Sequence, residues 1–324
     1  MRGIVFVLLW LGSHAAFAEN ILVIESYHEG YAWDASYIRG LKQVIGDKHS
    51  LTFFEMDTKR IPEREYEESA LSAFAVYQKL KPDLVVLGDD NALYYMLPKL
   101  FHEPIPIVFL GINSNPRQLL DHYYAEAQVT GILEQPLFVK NMAEIGRLLP
   151  IQKRKVLVLF DSGNTSKIAL EYMHSQDSLI KENLGIDVEI RVIKSEQEWH
   201  HAVENAPEEG FGAIAVGLYQ TLVNIDGLNV PPEHILSWTN QNSTLPLFGF
   251  WDFSIGKGKA AGGVVLFGQE QGQMAAEIVL RILDHGEKAK YIPIQINRQG
   301  RGIYQPDEFA RWGLKPPKDW LVAE

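Results

Sequence analysis

Seven short apolar runs punctuate the chain: "ILVIES" (21–26), "PDLVVLGDD" (82–90), "IPIVFLGIN" (105–113), "KVLVLFDS" (155–162), "FGAIAVGLY" (211–219), "LPLFGFWD" (245–252) and "AGGVVLFG" (261–268). They are continuous rather than alternating, which predicts strands buried on both faces of a parallel sheet. Between them, 35–46, 67–80, 138–149, 166–185 and 269–286 carry apolar residues at three- and four-residue spacing and predict helices, with Gly185 and Gly286 as C-terminal caps. "DDNALYYML" from Asp89 reads as a further helix start, and the polar stretch around His200 and His201 as helical. Strand–helix alternation of this kind predicts an α/β fold of doubly wound units with right-handed crossovers. The series restarts at Lys155, after Pro150, and "TGILEQP" (130–136) between the two halves has no helical pattern. Two similar lobes are expected, with a first crossing at that stretch. The chain from Tyr291 onward is weakly patterned.

The first residues stand apart. Arg2, an apolar run from Ile4 to Leu11 and "AFA" at 16–18 predict a secretory signal peptide cut after Ala18. The apolar part is shorter than the ~20 residues that span a bilayer, so no direct membrane insertion is expected and the mature chain is placed in the periplasm. The 324-residue sequence has no Cys, so stability rests on the core and an N-terminal lipid anchor on Cys is excluded. A formal net charge of -11 argues against nucleic acid as a partner.

In open α/β sheets ligands bind beyond the carboxyl ends of the strands. The residues that follow each run are therefore the candidates. In the first half they are Tyr27, His28, Tyr31 and Trp33, then Asp89, Asp90 and Asn113. In the second they are Asp161 and Thr165, then Tyr219, then Trp251, Asp252 and Phe253. Facing lobes would enclose an aromatic cleft with a few acidic anchors, the usual make-up of a small-molecule site. Each candidate has a packing alternative. The aromatic loop can cap the sheet edge, and one of Asp89 and Asp90 can cap the helix it begins. We expect Tyr27 and Trp33 to face the cleft, and Tyr37, Ile38 and Leu41 to supply packing behind it. There is no G-x-S-x-G elbow, P-loop or dinucleotide fingerprint, and "GKGKAAGG" (256–263) resembles a phosphate loop only in composition. No cofactor, metal or enzymatic activity is expected. The competing reading is a periplasmic hydrolase using Asp89, Asp90 and His28, and a third is an interaction protein with an empty cleft.

"SYHEGYAWDASYIRGL", "LGDDNALYYML", "IPIVFLGIN", "TGILEQ" and "FWDFSIGKGKAAGGVVLFGQEQGQMAAEIVLRIL" occur in this order. Together they resemble the ABC-transporter substrate-binding-protein-like family with the type I periplasmic-binding-protein fold. The resemblance is closest to the branch shared with extracytoplasmic sensor regions of histidine kinases, and the tryptophan- and tyrosine-binding members are more distant. It implies two Rossmann-like lobes joined by a three-strand hinge that closes on a ligand. Crossings are expected near Gly131–Glu134, Phe267–Gln269 and Tyr291–Pro293. Lobe one is then 19–132 plus 268–291, and lobe two 133–267 plus 292–324. The resemblance also suggests Glu134 and Gln269 as ligand-facing residues near the hinge. The implied function is a periplasmic solute-binding protein for a small organic ligand, amino-acid-like or aromatic and nitrogenous. It would present that ligand to a membrane ABC permease, or act as the sensing partner of a histidine kinase or diguanylate cyclase. Sensor relatives continue into a membrane segment, which this sequence does not show after "WGLKPPKDWLVAE", so a separate membrane protein is the expected partner.

Overall fold

The computed structural model describes residues 18–122 and 127–323. The expected signal peptide lies almost wholly outside the described residues. The first sheet contains β1 (Asn20–Glu25), β2 (Ser50–Glu55), β3 (Leu84–Gly88), β4 (Pro106–Ile112) and β5 (Gln128–Glu134). The second contains β6 (Lys155–Asp161), β7 (Asp187–Ile193), β8 (Ala213–Val216), β9 (Leu247–Gly249) and β10 (Gly262–Val265). The short strand β11 (Gln295–Asn297) joins the first sheet, while β12 (Arg301–Tyr304) and β13 (Leu321–Val322) join the second. The strand orders are β11-β5-β4-β3-β1-β2 and β13-β12-β10-β9-β8-β6-β7. All pairings are parallel except β10 with β12.

The helices are α1 (Ala32–Ile45), α2 (Tyr66–Leu80), α3 (Asp89–Leu100), α4 (Arg117–His122), α5 (Phe138–Leu148), α6 (Asn164–His174), α7 (Asp177–Leu184), α8 (Glu196–Asn205), α9 (Pro232–Asn242), α10 (Gly268–Leu283) and α11 (Pro306–Arg311). All seven apolar runs form strands because both faces of each sheet are covered. In the first, Ile21, Val23 and Val86 share a cluster with Leu41 and Ala276, on the α1–α10 side. Leu22, Ile24 and Val85 pack with Ala73 and Met96, on the α2–α3 side. In the second, Val156 and Val158 pack towards Met142 and Met173, and Leu157 and Leu159 towards Trp199 and Ile235. The stretch expected as one helix over 166–185 divides into α6 and α7 around Ser175–Gln176, and Gly185 caps α7 at φ 63°. No described helix is long and apolar enough to cross a membrane.

The third passage between the sheets falls later than the expected Tyr291–Pro293. Strand β11 pairs with β5, from Gln295 opposite Ile132 to Asn297 opposite Glu134. Residues 295–297 therefore stay with the first sheet, as do Leu133 and Glu134, which the expected boundaries put in lobe two, and the chain reaches β12 through 298–300. The continuous apolar pattern fails here because the strand is only three residues long, with one buried position.

Helix α10 follows β10 of the second sheet yet packs on α1 of the first. The two helices meet backbone to backbone. A methyl group on Gly40 would lie 2.1 Å from the Gln269 carbonyl oxygen, and one on Gly272 would lie 2.0 Å from that of Tyr37. We therefore expect Gly272→Ala to destabilise the protein by ~1–3 kcal/mol through overpacking, although Ala is the better helix former by ~1 kcal/mol. Chemical denaturation of the purified variant checks this, and an unchanged or higher midpoint would show that the helices can separate at no cost.

Candidate functional site

Strand order reverses between β1 and β3 in the first sheet and between β6 and β8 in the second. Loops leaving the two members of each pair run in opposite directions and open a crevice between them. In the first sheet the crevice edge is laced by side chains. The Ser26 hydroxyl donates to the Gly88 carbonyl (2.7 Å) and accepts from the Ala92 amide (2.7 Å). Thr58 Oγ1 donates to the Ser26 carbonyl (2.7 Å) and accepts from Asn91 Nδ2 (2.9 Å). This lacing fixes Tyr27, just after β1, against Asp89, just after β3.

The two crevices face each other. Between them lies a cavity lined from the first lobe by Tyr27, Tyr31, Trp33, Asp89, Asn113 and Glu134, and from the second by Thr165, Leu218, Trp251 and Phe253. Its free interior is about 10 Å³, room for about one water molecule. The Tyr27 hydroxyl donates to Asp89 Oδ1 (2.7 Å) and hydrogen-bonds Thr165 Oγ1 (2.8 Å) of the opposite lobe. The Trp251 indole N–H donates to Glu134 Oε1, and Asn164 Nδ2 donates to Asn91 Oδ1 (3.3 Å). Tyr27 and Tyr31 meet edge to face at 4.8 Å, and Trp251 stacks on Phe253 at 6.3 Å. Trp33 Nε1 and Asn113 Oδ1 are buried without a hydrogen-bond partner among the described residues.

Asp89 is the most constrained of these residues. It opens α3 with φ 73°, in the left-handed region that Asp tolerates better than most side chains. Neither Asp89 nor Asp90 is the N-cap as expected. That position is Gly88, and both carboxylates sit within the first turn, where the helix dipole favours negative charge.

The mouth of the crevice widens into a pocket of about 500 Å³ that shares Tyr31 and Phe253 with the cavity. His28 and Tyr219 line this mouth rather than the cavity. His28 Nδ1 lies 3.6 Å from Asp57 Oδ1, and burial and Arg60 hold its pKa below the ordinary imidazole value.

Four candidates are placed elsewhere. Asp90 turns away and accepts the Asn113 and Ser114 amides (3.1 and 3.0 Å) and Asn113 Nδ2 (3.2 Å), tying down the loop after β4. Asp161 is fully buried and accepts from the Gly163 and Thr221 amides (3.0 and 2.9 Å) and the Ser166 hydroxyl (2.5 Å). It holds two loops together and does not line the cavity. Asp252 lines a different pocket, with Arg39, on the far side of Phe253. Gln269 lies at the α1–α10 surface, where its Nε2 donates to Gln43 Oε1 (2.8 Å). Tyr31, Thr165 and Phe253, named above among the residues that follow the apolar runs, line the cavity, and so does Leu218, which was not named. Leu218 falls inside the apolar run 211–219, but the strand there ends at Val216, so it too lies beyond a strand end.

The hydrolase reading loses its constellation, because Asp90 is engaged with a loop and His28 sits at the mouth beside Asp57. Among the described residues no group of three or more His, Asp or Glu could hold a metal ion. The "GKGK" stretch forms a turn whose Gly258 amide donates to Glu308 Oε1 (2.9 Å), and it leads into a strand.

Burial raises the acids of this region. Asp89 is pushed up to about 7, first by desolvation and then by Asp90. Glu25, beneath the same edge, is also pushed to about 7 by desolvation, and Asp252 to about 6. Glu134 and Asp34 are raised well above the carboxylate range for the same first reason. A raised folded-state value means that the folded chain holds a proton the unfolded chain has released. The stabilising contribution is then complete below the ordinary carboxylate range and is lost as pH rises through about 7. The melting temperature should therefore increase as pH falls from 8 to 5.5, and Asp89→Asn should flatten that slope. Scanning calorimetry across this range checks it, and a decrease over the same interval would contradict the burial of these acids.

No family model matches the sequence, and no curated protein does. Solved structures do match in fold. An ABC domain from Streptococcus pneumonia in complex with L-Trp is 14% identical, covers 94% of this chain and 100% of its own, and superposes with a TM-score of 0.66. A ligand-free, open substrate-binding protein with adhesive properties from Clostridium difficile is 12% identical over 95% of this chain and 99% of its own, at 0.63. An ABC transporter solute-binding protein from Bacillus halodurans with bound myo-inositol is 12% identical over 93% and 99%, at 0.56. With two mostly parallel sheets flanked by helices and three passages between them, this chain has the type I periplasmic-binding-protein fold.

Proposed function

We propose that the protein is a periplasmic solute-binding protein whose crevice takes a small organic ligand with a protonated nitrogen and a flat or apolar body. The carrying observation is the convergence of the Asp89 and Glu134 carboxylates, with no cationic side chain within 4 Å of either among the described residues, on an aromatic cavity shared by both lobes. Buried carboxylates of this kind are costly unless paired, and a ligand cation would supply the missing partner. The rings of Trp33, Tyr31 and Trp251 offer faces and edges worth ~0.5–1.5 kcal/mol per aromatic contact beyond burial. Amino-acid-like and aromatic nitrogenous compounds meet both demands. The solute-binding character of the structural relatives supports the reading, one of them being a complex with L-Trp.

The small cavity and the bonds across it fit the ligand-free state of a hinge that parts to admit the ligand and then closes as far as the ligand's body allows. Tyr27, Thr165, Glu134 and Trp251 form cross-lobe hydrogen bonds that stabilise the shut arrangement. The shut form is then what a membrane partner recognises, either an ABC permease or a sensor kinase or cyclase. Pull-down from membranes with and without ligand distinguishes these partners.

A thermal-shift survey of amino acids, nucleosides, sugars and polyamines tests the ligand class. A ligand at 100 times its dissociation constant adds ~2.7 kcal/mol of stability. A cationic ligand should lose about tenfold in affinity for each pH unit below about 7, because a protonated Asp89 no longer offers a charge. Asp89→Asn should weaken it at pH 8 and remove that dependence. Hits restricted to neutral sugars, with no dependence on pH, would overturn the amine assignment.

A further inference from the structure

Lys59 borders the same crevice from a third stretch of chain. It lies in the connection between β2 and α2, which runs alongside the aromatic loop. The Asp57 amide donates to the Tyr27 carbonyl (2.9 Å) and the Thr58 amide to that of Ser26 (3.0 Å). This strand-like contact carries the Lys59 side chain onto the rings. Its ammonium is 4.6 Å from the Tyr27 ring centre and 5.5 Å from that of Tyr31. The residue is only 9% exposed and lines the 500 Å³ mouth pocket. Among the described residues its Nζ makes no hydrogen bond and has no carboxylate within 4 Å. Its charge is felt at Asp34 and Asp89, but neither is in contact with it. The other cations lining the mouth are occupied. Arg60 Nε donates to Asp57 Oδ1 (2.6 Å), Lys257 pairs with Asp307 at 3.3 Å, and Lys259 Nζ donates to the Phe253 carbonyl (3.0 Å).

A lysine ammonium carries three donors. One that is nine-tenths buried, held over two rings and left without an acceptor is arranged for an acceptor from outside the chain. We propose that Lys59 receives an anionic oxygen group of the ligand, a carboxylate or a phosphate, in the mouth pocket. The ligand's nitrogen and ring face Asp89 and Glu134 once the lobes part, since the cavity of about 10 Å³ has room for neither while they stay together. This inference rests on the binding reading above and narrows it to bipolar molecules. It also links recognition to closure. Lys59 lies on the ring of Tyr27, whose hydroxyl makes the bond to Thr165 of the other lobe. Gln220, buried on the opposite wall, holds its Oε1 to the Tyr219 amide (3.0 Å) and leaves its amide N–H₂ as a second donor at the mouth.

The test is a matched library on the full chain, read by thermal shift and then calorimetry. Indole, phenol and purine bodies each carry an amine alone, a carboxylate alone, a phosphate alone, an amine with either anion, or no charged group. Hits should be confined to members with an anion and be strongest for those that also carry the amine. The carboxylate and phosphate arms identify which anion is used. Lys59→Met should weaken those hits at least tenfold and leave any uncharged analogue unaffected, while Lys59→Arg should keep them within a few-fold. The ligand-free melting temperature of each variant separates lost binding from lost folding. Should Lys59→Met not fold, the wild-type library alone still decides. Binding by amine-only or uncharged members at equal strength overturns the anion assignment and leaves the binding reading standing. Undiminished affinity of an anionic hit for folded Lys59→Met overturns it as well. Absence of any hit removes both readings together.

Discussion

Parallel pairing governs the whole molecule. A parallel strand cannot be joined to its neighbour by a tight turn, so each connection must travel back across a face of the sheet. Every strand of a series then ends at the same edge, and every helix starts there. The first sheet is built on this rule throughout, and the second departs from it only at β12. As a result Tyr27, Asp89 and Asn113 arrive side by side from positions far apart in sequence, and Thr165 and Leu218 do so across from them. Reversal of strand order at the centre of each sheet converts those edges into crevices. Glycine contacts between α1 and α10 then bind the returning chain to the first lobe, so that the two crevices stay opposed.

The chemistry at that edge is set by desolvation more than by pairing. Asp34, Asp89 and Glu134 are buried, with Lys59 a distant counter-charge to the first two, and burial is the largest cause of the raised pKa of each. Hydrogen bonds from Tyr27 and Trp251 pull in the opposite direction and lower Asp89 and Glu134. The balance leaves carboxyls poised to lose a proton when a positive group arrives. Aromatic walls exclude water and so keep these carboxyls protonated until such a partner arrives.

The strands were legible because two-sided burial requires unbroken apolar runs. The edge strands β2 and β7 escaped notice for the complementary reason. Each has a single neighbour in its sheet and is half-exposed along most of its length, so polar residues interrupt it. Missing β2 meant missing Lys59, which follows it. Strand-end acids were legible as a class but not individually. Asp90 and Asp161 occupy the same kind of position as Asp89, yet their carboxylates close loops by accepting backbone amides. That distinction depends on the conformation of the loop each one faces, which no periodicity records. Trp251 and Asp252 are adjacent and fall on opposite sides of Phe253 for a similar reason.

Trp33 and Trp251 give the crevice a property separate from recognition. One indole belongs to each lobe, both border the same cavity, and they differ in environment. Trp251 donates to a carboxylate, whereas the Trp33 nitrogen is buried without a partner among the described residues. Indole emission responds to nearby carboxyl groups and to water, so parting the lobes changes the colour and yield of both residues at once. The protein thus carries an intrinsic optical reporter at the seam between its halves, readable without any attached dye.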